Sequence, residues 1–138
     1  MKTLTEFEEL IESFRDLTYS DIDPYYSISE DAHKKVYQDD SVIDRAIEFL
    51  KAVEYLDFDL ICPSLCADVN FYIDNNINDI EIVVDQDIKM YAYDKDVTGY
   101  FFLRNLDIKL IKEVLNSENA CEFLKNKGFE FFDINCEE

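Results

Sequence analysis

Apolar residues in the first part of the chain recur at steps of three and four, the spacing that places side chains on one face of a helix. The pattern is most regular over residues 4–17 and 42–56, and it predicts an amphipathic helix in each segment. Ser41 with Asp44 supplies a start signal for the second helix. Two capping boxes fit the start of the first helix, Thr3 with Glu6 and Thr5 with Glu8.

Three further segments in this part of the chain carry a weaker pattern. Residues 18–29 have no helical period and contain a proline, which predicts a loop that is unusually rich in tyrosine. Ser29 can cap a short helix over residues 30–39. Residues 63–73 again have apolar positions at helical steps, with a proline in the first turn and an asparagine pair beyond the end. We therefore predict a helix there as well.

The apolar positions change to a period of two after residue 78. Residues 79–85 and 89–94 are rich in β-branched and aromatic side chains and flank a short polar turn. This pattern predicts a β-hairpin in which Ile80, Ile82 and Val84 face the core.

The last part of the chain predicts short elements of both kinds. Residues 98–104 are predicted as a third strand, residues 107–115 and 118–127 as helices, with Gly128 after the second, and residues 129–134 as a closing strand. Separate blocks of helices and strands are typical of an α+β fold. We predict one compact domain, with amphipathic helices packed on one face of a small, mostly antiparallel sheet.

The composition supports a folded chain with an unusual charge. The 138 residues are the size of one domain, and 48% of them are apolar, enough to build a core. Thirteen basic residues face 32 acidic ones, a net charge of −19, and residues 1–100 hold most of that surplus. A halophilic surface fits poorly, because ten of the basic residues are lysine and large apolar residues are common. Such a field repels nucleic acid and anionic membranes, so the expected partners are cationic.

Four cysteines indicate free thiols. The N-terminal residues form an acidic amphipathic segment without the apolar stretch of a signal peptide, so we expect a reducing, cytoplasmic environment. Three residues separate Cys62 from Cys66, whereas structural zinc sites typically use closer pairs with two residues between the cysteines. Cys121 and Cys136 are far apart in the sequence. Cys66 is expected to be buried on the helix predicted over residues 63–73.

No motif indicates catalysis or a metal loop. His33 is the only histidine and stands beside two lysines, so we predict an exposed side chain rather than a general base. Residues 85–89 carry Ile88 and Lys89 where a calcium loop needs further oxygen ligands and a glycine. Paired carboxylates can do acid–base chemistry, but 32 acidic residues make close pairs common by chance. We therefore expect no enzyme, cofactor or metal.

Acidic residues interleaved with tyrosine define the candidate partner-binding surface. Carboxylates on a rigid surface can meet the arginine and lysine rows that otherwise hold phosphates, and tyrosine adds contact area at small entropic cost. Two structural explanations compete, since tyrosine rings often pack on a core and acids near residue 40 suit a helix N-terminus. The candidate residues are Asp21, Asp23, Tyr25, Tyr26, Asp39, Asp40, Asp79, Glu81, Asp85 and Asp87.

The leading hypothesis is a non-catalytic inhibitor that mimics nucleic acid and occupies a basic nucleic-acid-binding surface of another protein. Phage-encoded inhibitors of CRISPR or restriction nucleases offer a functional analogy that rests on charge alone. One alternative is an immunity protein that neutralises a cognate bacterial nuclease toxin. Another is a small enzyme or ligand-binding domain with its pocket at the edge of the sheet.

Overall fold

A six-stranded antiparallel sheet lies at the centre of the molecule. The structure is a computed structural model that describes residues 2–28 and 30–133. The strands pair in chain order, each with the next one along the chain. They are β1 Leu60–Pro63, β2 Val69–Asp74, β3 Asn78–Val84, β4 Ile88–Asp94, β5 Tyr100–Leu103 and β6 Phe131–Phe132.

The helices precede and follow this block of strands. They are α1 Leu4–Glu12, α2 Tyr19–Ile22, α3 Ser41–Val53, α4 Ile108–Leu115 and α5 Ala120–Asn126, with short 3-10 segments at Ser13–Asp16 and Pro24–Ile28. Thr3 caps α1 as predicted, since its side chain accepts a hydrogen bond from the Glu6 amide. The predicted α+β fold is confirmed for the described residues.

One face of the sheet forms the core. In β3 the side chains of Ile80, Ile82 and Val84 are buried, while those between them are exposed or half-buried. The register places Ile82 opposite Phe71 on β2 and Met90 on β4, and all three side chains are fully buried. Burying side chains of this size stabilises a fold by about 1.5–3 kcal/mol each. The predicted hairpin and its core face are therefore confirmed.

The helices cover that same face. Ile43, Ala46 and Leu50 of α3 have no exposed surface, and α3 contacts both β2 and β3. α1 packs on α3 through its buried residues Phe7 and Ile11. α4 contacts α3, and α5 contacts β4 and β5, so the helical layer extends over the second half of the sheet.

The helix predicted over residues 63–73 is wrong. The chain forms β1, a turn and β2 there, and Ile61 of β1 is paired with Phe71 of β2. Ala67 in the turn has a left-handed backbone, with φ at 61°. Pairing with a neighbouring strand satisfies the backbone of β2 and buries alternate apolar side chains, which outweighs the helical spacing. Cys66, expected on a buried helix face, is exposed in this turn.

The short helix predicted over residues 30–39 is also wrong, and Ser29, its predicted cap, lies outside the described residues. The segment turns back and runs antiparallel to residues 17–20, where the Val36 amide donates to the Leu17 carbonyl at 3.0 Å. These long-range backbone hydrogen bonds override a weak local helix propensity.

Tyr37 ties this segment to the sheet. Its side chain is almost fully buried, and its hydroxyl donates to the Asp68 carbonyl and accepts a hydrogen bond from the Ser64 amide at 3.2 Å. Burial raises the pKa of Tyr37 to about 12. The hydroxyl therefore stays protonated and connects residues 30–39 to the turn between β1 and β2.

Two other predictions need adjustment. Residues 18–29, predicted as a loop, contain the single turn of α2 and the 3-10 segment. Asp21 stabilises α2, because its side chain accepts a hydrogen bond from the Thr18 amide at 2.9 Å. The closing strand predicted over residues 129–134 is a strand only at β6, and residue 134 lies outside the described residues.

Asn78 is a buried polar residue that joins the sheet to the helical layer. Its side-chain oxygen accepts a hydrogen bond from the Ala120 amide at 2.7 Å, and its side-chain nitrogen donates to the Tyr93 carbonyl at 3.5 Å. Ala120 begins α5, where the first backbone amides have no partner within the helix. Asn78 on β3 thus provides the hydrogen-bond acceptor for one of those amides.

We expect Asn78→Ala to lower the free energy of unfolding by about 1–3 kcal/mol, because it leaves the buried Ala120 amide without its acceptor. Urea denaturation measures the change. The control is Asn76→Ala in the exposed turn between β2 and β3, which should change stability by less than about 0.5 kcal/mol. Equal stability of the two variants would show that the Asn78 bonds contribute nothing.

Candidate functional site

The face of the sheet turned away from the helices is here called the open face. Alternate residues of β2 to β6 point to it, and apart from the buried Asn70 their side chains are exposed or half-buried. A half-exposed sheet face rich in large aromatic side chains is typical of a binding surface rather than of an ordinary solvated face. These residues are Tyr72, Asp74, Asp79, Glu81, Val83, Lys89, Tyr91, Tyr93, Tyr100, Phe102 and Phe132.

Five aromatic rings on β4, β5 and β6 form a continuous ladder across the open face. Tyr91 lies 4.8 Å from Phe102 and 6.1 Å from Tyr100, measured between ring centroids. Tyr100 in turn lies 5.7 Å from both Tyr93 and Phe132. Aromatic pairs at such distances contribute about 0.5–1.5 kcal/mol each beyond the area they bury. We call this set the ring ladder, and its mutual contacts hold the exposed rings in fixed positions.

Three carboxylates lie beside the ring ladder on β2 and β3. Asp74 and Asp79 are paired directly across the two strands, and Lys95 forms ion pairs with both, at 3.8 Å from Asp79. The Tyr72 hydroxyl donates to Glu81 at 2.8 Å. The hydrogen bond from Lys95 lowers the pKa of Asp74, whereas burial raises the pKa of Asp79. The single ammonium group of Lys95 thus pairs with two aspartates that lie opposite each other on neighbouring strands.

These carboxylates and two tyrosines line a shallow depression of about 370 Å³. Tyr72 on β2 and Tyr93 on β4 stand on either side of the central strand β3, which carries Asp79 and Glu81. Burial raises the pKa of Tyr93, and the negative charge of Glu81 adds to the rise. The depression therefore combines negative charge with aromatic walls. Its lining residues are Tyr72, Ile73, Asp74, Asp79, Ile80, Glu81 and Tyr93.

Four of the predicted site residues lie elsewhere, at the end of the sheet where α3 begins. Arg45 donates to the Asp85 carbonyl at 3.2 Å, and Arg15 lies 3.8 Å from the carboxylate of Asp40. Hydrogen bonds from Ser41 lower the pKa of Asp39, and the nearby Arg45 guanidinium adds to the effect. Asp87 instead lies 4.0 Å from a third arginine, Arg104. The structure thus places each member of this group near an arginine. Its members are Asp39, Asp40, Asp85 and Asp87.

Most of these four carboxylates already have structural roles. Asp39 accepts a hydrogen bond from the Ser41 amide at 2.9 Å, at the start of α3. Asp85 accepts hydrogen bonds from the Asp87 amide and from Lys89, and its side chain is 29% exposed. Asp87 accepts a hydrogen bond from the Asn105 amide and is 21% exposed. These three stabilise local backbone, whereas Asp40 is 60% exposed.

The predicted residues of the 18–29 segment divide in the same way. Asp21 caps α2, and Asp23 accepts a hydrogen bond from the Tyr25 amide at 3.0 Å. Tyr26 stacks on Tyr19 with ring centroids 5.4 Å apart, so its ring is structural. The side chain of Tyr25 is 90% exposed and remains available to a partner.

Sequence reasoning found part of this site and missed the rest. Asp79 and Glu81 were predicted as partner-binding residues, and both line the depression. The aromatic residues of the open face were not predicted. Their signal was present in the sequence, because Tyr91 and Tyr93, like Tyr100 and Phe102, are spaced by two within predicted strands and must share a face.

Two of the three described thiols, Cys62 and Cys121, have pKa values that are raised by burial. The pKa of Cys121 is raised to about 11, and both thiols stay protonated near neutral pH. His33 is exposed, as predicted. Cys136 lies outside the described residues.

Two wider features of the described residues bear on function. Within residues 2–28 and 30–133, His, Cys, Asp and Glu form no group of three or more that could hold a metal ion. In the same ranges, every helix is too short or too polar to cross a membrane.

Comparison of the chain with protein-family models, with curated protein sequences and with solved structures returns no match.

The two neighbouring tyrosines of the 18–29 segment should respond differently to truncation. We expect Tyr26→Ala to lower the free energy of unfolding by at least about 0.5–1.5 kcal/mol, because it removes the stack on Tyr19. Tyr25→Ala should change it by less than about 0.5 kcal/mol. Thermal and urea unfolding measure both, and a larger loss for Tyr25→Ala would contradict this assignment.

The ion pairs of Lys95 with Asp74 and Asp79 predict that replacing Lys95 changes the pKa of both carboxyl groups. In Lys95→Gln, the pKa of Asp74 should rise, because its main stabilising hydrogen bond donor is lost, and the pKa of Asp79 should rise further. Carbon-13 NMR titration of the carboxyl groups measures both values. Lys109→Gln on the exposed side of α4 changes the net charge equally and should leave both pKa values unchanged. An unchanged Asp74 pKa in Lys95→Gln would show that the ion pair does not form.

Proposed function

We propose that the protein is a non-catalytic binding protein whose open face occupies a basic, nucleic-acid-binding surface of a partner protein. The observation that carries the proposal is the ring ladder beside Asp79 and Glu81, on the sheet face that the described helices leave open. Arginine guanidinium groups stack on aromatic rings and pair with carboxylates, so a surface that offers both suits an arginine-rich partner.

The net charge supports the same proposal, because it should speed the association with a cationic partner. A charge of −19 attracts a cationic partner over a distance of about a Debye length, near 8–10 Å at ordinary salt. Because a basic nucleic-acid-binding surface attracts both this protein and its own ligand, the two would compete for it. Inhibition by occupation of a nuclease surface, as expected from the sequence, is the functional class that follows.

The fold changes the location of the proposed interface. Carboxylates such as Asp21, Asp39 and Asp85 are engaged in local hydrogen bonds, so their contribution is to the overall field rather than to contacts. The aromatic residues of the open face offer rigid contact area that loses little conformational entropy on binding. We therefore place the contact surface on the open face and assign steering to the remaining acids.

A displacement experiment tests the proposal. A labelled DNA duplex is bound to an oligoarginine peptide, and the protein is added as competitor while fluorescence anisotropy reports release of the duplex. We expect wild-type protein to release the duplex and to do so less well as salt rises. Tyr91→Ala/Tyr100→Ala, at unchanged net charge, should need about tenfold more protein or more.

The control for that experiment is Tyr25→Ala, which removes an exposed aromatic ring away from the open face. It should compete as well as the wild type. If Tyr91→Ala/Tyr100→Ala also competes as well as the wild type, bulk charge alone explains the displacement and the proposal fails. Circular dichroism spectra of each variant confirm that the fold is retained.

A further inference from the structure

The depression on the open face combines carboxylates with tyrosine rings. Its floor is formed by Asp79 and Glu81, which are two residues apart on β3 and therefore point to the same side. The register pairs Glu81 with Tyr72 on one side, and Asp79 with Tyr93 on the other. Each carboxylate thus lies beside one tyrosine, and the two rings stand diagonally across β3 in a depression of about 370 Å³.

The carboxylates of the depression are held in place before any partner binds. The Tyr72 hydroxyl donates to one oxygen of Glu81 at 2.8 Å, which fixes the carboxylate beside the ring and leaves its second oxygen to accept. Asp79 is held by the ion pair with Lys95 at 3.8 Å. Preorganised acceptors lose little conformational entropy when a donor arrives.

Lys95 shows what kind of group this surface holds. Its ammonium group forms ion pairs with Asp74 and Asp79, so a cation from the chain itself already contacts two of the residues that line the depression. Three carboxylates against one ammonium still leave a local surplus of negative charge around Glu81. A second cation can therefore enter next to Glu81 and against a tyrosine ring.

The chemistry of the depression favours guanidinium over ammonium. A guanidinium group is planar, stacks on aromatic rings, and presents several N–H donors in one plane that match carboxylate oxygens. An ammonium group is compact and strongly hydrated, and it gains less from the rings. The two tyrosine walls and the paired acids therefore match arginine better than lysine.

We infer that the depression lined by Tyr72, Asp79, Glu81 and Tyr93 is the seat for an arginine side chain of the partner protein. The inference rests on the proposed function and adds the residue type that anchors the partner. The arginine stacks on a tyrosine ring of the depression and donates hydrogen bonds to Glu81 and Asp79, while the ring ladder contacts the neighbouring part of the partner.

Two peptides of equal charge test the inference. One is an oligolysine peptide, and the other carries a single arginine in place of its central lysine. Isothermal titration calorimetry should show about tenfold tighter binding of the arginine-containing peptide to the wild-type protein. Glu81→Gln and Tyr93→Leu should each abolish that preference, since one removes the acceptor charge and the other removes an aromatic wall.

Matched variants separate this effect from charge and from folding. Glu9→Gln on the exposed surface of α1 lowers the net negative charge as much as Glu81→Gln and should keep the preference. Tyr72→Phe keeps the ring but removes the hydrogen bond that holds Glu81 in place, so it should reduce the preference without abolishing it. Thermal unfolding of each variant shows whether a loss of the arginine preference comes from misfolding. Tyr93→Leu and Glu81→Gln test the inference independently, because they remove different groups of the depression.

The outcomes distinguish the inference from the proposed function. Equal affinity of the wild type for both peptides, with both weakened by Tyr91→Ala/Tyr100→Ala, overturns the arginine seat and leaves the open-face interface standing. A preference that survives in Glu81→Gln and in Tyr93→Leu also overturns the seat. Binding of both peptides that is indifferent to Tyr91→Ala/Tyr100→Ala overturns the proposed function and the inference with it.

Discussion

The two-residue alternation of β2 to β5 is the constraint on which the rest of the structure depends. It sends Phe71, Ile82 and Met90 to one face, where α3 can bury them. The same alternation sends Tyr72, Glu81 and Tyr91, their neighbours in the chain, to the other face. A shift of one residue in register would exchange these two sets, so the buried core also specifies the composition of the open face.

Strong periodicity made part of this fold predictable. The helices at α1 and α3 and the β3–β4 hairpin were correctly predicted, because each has a long run of apolar residues at one period. Residues 63–73 failed because apolar side chains at positions 65, 69 and 73 fit a helix, while those at 69, 71 and 73 fit a strand. Only pairing with β1 and β3, which a local pattern does not contain, decides between the two.

The candidate site was harder to predict than the fold, for a reason of chemistry. An acidic residue near a turn or helix start can bind a partner or cap the local backbone, and its sequence context is the same in both cases. Asp21, Asp39 and Asp85 proved to be hydrogen-bonded to nearby amides. The aromatic residues of the open face can instead be located from their two-residue spacing in the strands. This step also requires knowing which face of the sheet the helices cover.

The cross-strand pair of Asp74 and Asp79 places two carboxylates directly opposite each other on the open face. Like charges directly opposite on neighbouring strands destabilise a sheet, and here Lys95 offsets only part of that repulsion because it serves both groups. A sheet selected for stability alone would place an opposite charge or a β-branched pair at these positions. An incoming guanidinium would relieve the remaining repulsion, so the unfavourable charge arrangement of the free protein becomes a favourable term on binding. Under the proposed function, the local surplus of charge and the neighbouring aromatic rings would both contribute to binding a cation.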